Sequence, residues 1–154
     1  MNEILPAETP FHIQTIGDLF REYEQVLQVD LCFQGFEEEL AGLPGKYGPP
    51  QGALLLAFAD GRAAGCVAMR PLSPGVCEMK RLYVRPAYTG RGMGRNLALT
   101  VIERAMAAGY SCMRLDTLER LHPALGLYAG LGFRRCPPYY ENPLPGVVYL
   151  ERDL

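Results

Sequence analysis

One continuous run holds most of the chemistry this sequence offers: Glu78-Met79-Lys80-Arg81-Leu82-Tyr83-Val84-Arg85-Pro86-Ala87-Tyr88-Thr89-Gly90-Arg91-Gly92-Met93-Gly94-Arg95. It reads as a strand, then a glycine turn carrying arginines, then the start of a helix. The first amides of a helix have no intrahelical acceptor and carry the positive end of its dipole, so they bind phosphate. Glycines at 90, 92 and 94 let the main chain approach a diphosphate with no Cβ in the way. Arg91 and Arg95 add charge-assisted hydrogen bonds.

Two other phosphate-binding loops do not fit. A P-loop needs a lysine followed by serine or threonine after its last glycine, and none follows here. A dinucleotide fingerprint opens a chain's first βαβ unit, whereas these glycines follow strands joined by tight turns.

Charge is distributed to match. The net charge is only −2, but residues 1–60 carry ten acids against Arg21 and Lys46, while residues 80–104 carry six basic residues against Glu103 alone. A polyanionic ligand suits the second segment and a cationic one the first. A slightly acidic chain with so short a basic cluster is a poor nucleic-acid binder. Five scattered cysteines without a CxxC pair, and two histidines, argue against a zinc site or a disulfide framework and for buried, reduced thiols. No apolar run reaches the ~20 residues needed to span a bilayer, and Met1 to Pro10 lacks the layout of a signal peptide. The expectation is a cytoplasmic protein with no metal, no nucleic acid and no membrane partner, residues 1–154 forming one domain.

Around that run the elements fall into place. Ile16, Leu19, Phe20, Tyr23, Val26 and Leu27 repeat at helical spacing, and Thr15 with Asp18 resembles a capping box. Phe36 to Leu40 suggests a short second helix, and Gly42 to Gly52 a loop. Ala53 to Ala59, Ala63 to Arg70 and Val76 to Val84 read as strands; the tight turns between them, Asp60-Gly61 and Pro71 to Gly75, make them antiparallel neighbours. Asn96 to Ala108 is helical and is stopped by Gly109. Cys112 to Leu115 is then a strand parallel to Val76–Val84. Pro123 to Leu131 is a short helix, and Phe133 to Cys136 and Val147 to Glu151 are the last strands. The sum is an α/β sandwich, a mixed and mostly antiparallel sheet of six to seven strands with helices on both faces.

Thr89-Gly90-Arg91-Gly92-Met93-Gly94 resembles the Gln/Arg-x-x-Gly-x-Gly/Ala pattern of the GNAT family of N-acetyltransferases, with threonine at the first position. The preceding Lys-Arg-Leu-Tyr-Val-Arg-Pro looks like that family's fourth strand. Ala124-Leu125-Gly126-Leu127-Tyr128-Ala129-Gly130-Leu131-Gly132-Phe133 resembles its second motif, Ala-x-x-Leu-Tyr-x-x-x-Gly-Phe. Leu121 stands where many members have asparagine, so a contact to the pantetheine arm is missing or comes from His122 or Arg120.

The resemblance implies acetyl-CoA as co-substrate, held by Leu82, Tyr83, Val84, Thr89, Gly90, Arg91, Gly92, Met93, Gly94 and Arg95. It implies direct attack of an amine on the thioester, a reaction that needs a base, an oxyanion donor and an acid for the thiolate. Glu78, eleven residues before Thr89, stands where some members place their base. The Leu82 amide would meet the oxyanion and Val84 the pantetheine amide, and Tyr128 is the acid. Tyr139, Tyr140, Glu141 and Asn142 in the last loop, and Glu22, Glu37, Glu38 and Glu39 near the first helices, are the expected acceptor walls, with Asp116 and His122 as further candidates. The acceptor is a small-molecule or peptide amine. A homodimer is common among proteins of this kind, and Pro137-Pro138-Tyr139-Tyr140 would serve a dimer contact as well as a substrate. The competing class is a non-catalytic acyl-CoA-binding sensor or regulatory module.

Overall fold

The computed structural model describes residues 2–31 and 34–154, so Cys32 lies outside the described residues. In chain order the elements are β1 (Asn2–Pro6), α1 (Pro10–Leu27), α2 (Phe36–Ala41), β2 (Ala53–Ala59), β3 (Arg62–Ser73), β4 (Val76–Val84), α3 (Met93–Ala107), β5 (Cys112–Leu118), α4 (His122–Gly130), β6 (Arg134–Arg135) and β7 (Val147–Asp153). The seven strands form one sheet in the order β1-β2-β3-β4-β5-β7-β6. Among the described residues only the β4–β5 pair is parallel; α3 is its crossover.

Each face of the sheet has its own apolar layer. The alternate residues Leu55, Ala57, Val67, Met69, Cys77, Met79, Met113, Leu115, Val148 and Leu150 pack against Leu97, Ala98, Val101, Ile102 and Ala105 of α3 and against α4. On the other face Leu54, Leu56, Cys66, Ala68 and Tyr83 meet Ile16, Leu19 and Phe20 of α1 and Phe36 of α2. A truncation such as Leu97→Ala in this packing costs about 2–5 kcal/mol. Strand β3 must approach its neighbours closely at Gly65, where a Cβ would stand 2.6 Å from the Tyr83 carbonyl oxygen.

Several boundaries differ from expectation for physical reasons. Helix α1 starts five residues before Thr15, because Thr9 caps it by accepting a hydrogen bond from the His12 amide and Pro10 occupies its first turn. Thr15 instead donates its hydroxyl back to the Phe11 carbonyl inside the helix. Strand β3 runs on to Ser73 across the segment read as turn, and Gly42 to Gly52 contains a short 3-10 turn at Gly45–Tyr47. Strand β1 pairs with β2 from Asn2↔Ala59 to Pro6↔Leu55. Of the described cysteines, all unpaired, Cys66 and Cys77 are buried and Cys112 and Cys136 half-buried.

Candidate active site

Strand β4 organises the site through two departures from regular pairing. Toward β3 the ladder runs without a shift from Pro71↔Cys77 to Ala68↔Lys80 and resumes at Cys66↔Tyr83, so Arg81 and Leu82 face a single partner residue. Arg81 takes up the bulge at φ 60°, a conformation disfavoured for a side chain with a Cβ. Its buried guanidinium is held there by two hydrogen bonds to Glu39 of α2, 3.1 and 3.0 Å, and lies over the Phe36 ring. Toward β5 the parallel pairing covers only Val76↔Cys112, Cys77↔Met113 and Glu78↔Arg114. Beyond Glu78 the two strands part, since a bulge bends its strand and increases the local twist.

The opening between them is a cleft lined by Met79, Lys80 and Leu82 on β4, Leu115 to Leu118 on β5 and Tyr128 on α4; Tyr23, Leu31, Gln34, Leu121 and Asn142 close its sides. Its enclosed volume is about 50 Å³.

At one end of β4 the chain enters the glycine turn. Gly90 and Gly92 adopt φ 78° and 77°, and a Cβ on either would meet nothing within 4 Å, so here glycine serves backbone conformation rather than packing. Helix α3 begins one residue later, three residues before the position expected from its apolar repeat. Among the described residues the first α3 amide with a carbonyl acceptor is that of Asn96, bonded to Gly92 at 3.0 Å. The amides from Arg91 to Arg95 therefore form an unpaired row. Arg91 and Arg95 are exposed beside it, and Arg91 lies over the Tyr88 ring at 5.7 Å. Gly94 fits between Val84 and Leu127, and Met93 is buried in the core beneath. Thr89, whose hydroxyl bonds back to the Pro86 carbonyl, is exposed.

At the other side of the cleft lies a polar network that joins five separate segments. Glu78 has no exposed surface; its Oε1 accepts from Arg70 Nε at 2.8 Å and its Oε2 from the Tyr139 hydroxyl at 2.7 Å. Lys80 Nζ lies 4.0 Å from Glu78 and donates to Gln34 Oε1 at 3.3 Å. Gln34 in turn donates to the Tyr140 hydroxyl, which donates to Asp116 Oδ2. Asn142 donates to the same Asp116 oxygen at 2.8 Å. Tyr139, Tyr140 and Tyr149 pack against one another, with ring centroids 5.5 to 6.0 Å apart.

Burial sets the protonation of this region. It drives the Lys80 ammonium down to about 8, against the pull of the Glu78 carboxylate. It raises the Tyr128 phenol far above its ordinary range, and the neighbouring Tyr23 and Asp116 push the same way, so Tyr128 stays protonated.

Among the sequence candidates, Leu82, Tyr128, Asp116 and Asn142 line the cleft, while Tyr140 bonds to its wall. Tyr83 and Val84 continue β4 toward the turn, with Tyr83 buried against α1. Glu78 is adjacent but does not line the cleft. Glu22 does not belong to it: the carboxylate takes two hydrogen bonds from Arg85, 3.0 and 2.7 Å, and one from Tyr83, and so ties α1 to the end of β4. Its acidity is raised chiefly by the Arg85 hydrogen bonds. Arg120 donates to the Leu27 carbonyl at the end of α1, and His122 is exposed. Tyr139 and Tyr140 are half-buried in the network, while Pro137 and Pro138 before them are exposed. Lys80, Gln34 and Arg70 were not anticipated, since nothing in their local sequence distinguishes them from other strand and loop residues. No group of His, Cys, Asp and Glu among the described residues could hold a metal ion, and no described helix is long and apolar enough to cross a membrane.

A forked β4–β5 pair, a glycine turn at one end and a tyrosine-bearing short helix beneath define an acyltransferase architecture, and comparison with known proteins agrees. Residues 14–133 match the model of the acetyltransferase (GNAT) family. The chain is 48% identical over 153 residues to an uncharacterized N-acetyltransferase of Schizosaccharomyces pombe, covering 98% of this chain and 94% of the relative. An acetyltransferase from Streptococcus agalactiae superposes with a TM-score of 0.83 at 20% identity over 99% of this chain and 98% of its own. The PaiA N-acetyltransferase of Thermoplasma acidophilum, solved in complex with coenzyme A, gives 0.76 at 19% identity over 100% and 99%. The chain belongs to the GNAT acetyltransferase family and is an acetyl-CoA-dependent N-acetyltransferase.

Proposed function

We propose that residues 1–154 act as one acyltransferase domain that moves an acetyl group from acetyl-CoA to a primary amine by direct attack in a ternary complex. The observation that carries this reading is that the helix start with the unpaired amides of Arg91 to Arg95 packs at Gly94 against Val84 of β4 and Leu127 of α4, the two elements that bring Leu82 and Tyr128 to the cleft. That row suits the diphosphate, with Arg91 and Arg95 supplying charge from outside and Thr89, Gly90, Gly92, Met93 and Gly94 shaping the turn. The coenzyme A complex of the Thermoplasma protein, which shares the fold, is in keeping with such a ligand. Acetyl-CoA supplies the acyl group and the leaving thiolate.

The chain's own residues divide the remaining work. The edge of β4 released from β5, from Tyr83 and Val84 down to Leu82, holds the pantetheine arm. The Leu82 amide donates to the oxyanion that develops as the amine adds, where a fixed donor in a water-poor site acts most strongly. The buried, protonated Tyr128 hydroxyl donates to the departing sulfur. Glu78 acts as a positioning residue: with both oxygens occupied, it fixes Lys80 and Tyr139 and leaves Asp116 as the carboxylate that faces the incoming ammonium and receives its proton directly or through water. The protein is assigned to an aqueous compartment, the cytoplasm.

The test is free-thiol release from acetyl-CoA against a panel of small amines, amino acids and peptides. Acceptor-dependent thiol release with matching acetylated product is expected. Tight acetyl-CoA binding without turnover on any acceptor would contradict transfer and favour a sensor.

A further inference from the structure

The acceptor side of the cleft carries two opposite charges that are not paired with each other. Glu78 of β4 faces Arg114 of β5 at the last rung of the parallel ladder. Two residues further along each strand, on the same face of the sheet, stand Lys80 and Asp116; they would be the next like-facing pair had the strands stayed together. The fork has separated them, and both line the cleft. Among the described residues no ion pair of 4.0 Å or less joins them; Lys80 has Glu78 at 4.0 Å, while the hydrogen bonds that hold Lys80 and Asp116 run to neutral groups. The Gln34 amide oxygen accepts from Lys80, and the Tyr140 hydroxyl and Asn142 amide donate to Asp116 Oδ2. Gln34 and Tyr140 are themselves bonded, so the two lips are tied by a neutral bridge of fixed length.

The other charges of this region are matched in direct pairs: Arg70 with Glu78, Arg81 with Glu39, and Arg114 with Glu151. Lys80 shares Glu78 only at 4.0 Å, and its side chain is 4% exposed. A buried ammonium held chiefly by one amide oxygen retains donor capacity, and burying it is costly unless a further anion completes it. Asp116 has Oδ1 left over in the same sense.

From this arrangement we infer that the acceptor is a zwitterion, a free amino acid whose carboxylate is received by Lys80 while Asp116 receives the ammonium that is to be acetylated. This rests on the transferase reading above and narrows it to one class of amine. A plain alkyl amine would leave Lys80 uncompleted, and a peptide N-terminus has an amide in place of the α-carboxylate. Acetylation removes the ammonium and keeps the carboxylate, so the product keeps its partner at Lys80 and loses the one at Asp116.

The experiment is calorimetry on protein saturated with CoA, which prevents turnover, using matched pairs: L-alanine with ethylamine, L-phenylalanine with phenethylamine, L-lysine with cadaverine. At least one amino acid is expected to bind about tenfold or more tightly than its decarboxylated partner. Lys80→Met should abolish that difference by weakening the amino acid alone, with the plain amine unchanged. Asp116→Asn should weaken both. Lys80→Gln provides a second variant if the methionine protein does not fold. Equal binding within every pair, no amino-acid binding at all, or equal losses for both ligands in Lys80→Met would each overturn the inference. The CoA isotherm recorded first separates the failures: CoA bound without amino-acid preference defeats this inference alone, whereas absent CoA binding defeats the transferase reading with it.

Discussion

The two ends of the cleft are built by opposite means. In the proposed reading the cofactor end uses the main chain of one continuous segment, Leu82 to Arg95, whose turn is set by Gly90 and Gly92 at positive φ. The acceptor end is made of side chains drawn from the α1–α2 connection, β3, β4, β5 and the loop before β7, with partners as far apart in sequence as Gln34 and Tyr140. Main-chain recognition of a diphosphate needs only a turn geometry and a helix start, and short local sequence specifies both. Recognition of one amine among many needs particular functional groups at particular distances, which only the tertiary fold supplies. One end is therefore suited to a constant ligand, and the other is free to vary.

The largest effect that would break this contrast is at the main-chain end. Gly92→Asp combined with Gly94→Asp sets two carboxylates against the phosphates and should weaken acetyl-CoA binding by about a thousandfold, measured by calorimetry on protein shown to be folded by circular dichroism. Unchanged affinity would remove the turn from the site. Next comes Glu78→Gln, which leaves Arg70 and buried Lys80 without their carboxylate. It should cost about 3 kcal/mol of stability in urea unfolding, while acetyl-CoA affinity stays within about twofold. A loss confined to turnover, with stability intact, would instead make Glu78 the base.

Tyr128→Phe keeps the ring packed on Phe133 and removes the hydroxyl; kcat should fall about 10- to 100-fold with acetyl-CoA affinity nearly unchanged. The smallest effect sharpens the acceptor end. N-acetyl-L-alanine has no amine to titrate, so its binding reports Lys80, whose surroundings are Gln34, Arg70, Glu78, Arg81 and Asp116. Lys80 is charged below about 8 and loses its proton above it, so affinity should fall by about tenfold from pH 7 to pH 9, and Lys80→Met should flatten the profile. The same group makes a linked contribution to folding. Its folded value lies below its ordinary 10.5, so the unfolded chain binds more protons across that window and stability rises with pH there.

How much of this was legible in the sequence follows the same division. Strands β2 and β4 have the limits their apolar runs and turn residues imply. Helix α3 starts earlier than its apolar repeat implies, since Met93, Gly94 and Arg95 look like loop when helical periodicity is the guide. Helix α1 starts earlier than Thr15 implies, since two threonines can cap it and Pro10 after Thr9 decides in favour of the earlier one. Tyr128 is legible through a motif and Leu82 through its place in the strand before the turn, and both line the cleft. Glu22 stands outside the cleft, and a carboxylate on an amphipathic helix does not announce that Arg85, 63 residues away, will bind it. Lys80 reads in sequence as one more basic residue near a phosphate site; its burial, and the side of the sheet it faces, depend on how β4 is packed and where it bulges. Charge totals located the right regions, but pairing decided which charges remain available.

The central claim is that the free amides at the start of α3 and the released edge of β4 receive one ligand together. Amide hydrogen exchange, with and without acetyl-CoA, addresses it directly. Slowed exchange in peptides covering Arg91 to Arg95 and Leu82 to Val84, both lost in the Gly92→Asp, Gly94→Asp protein, is the expected result. Acetyl-CoA binding that leaves both peptides unprotected would place the cofactor elsewhere and contradict the account.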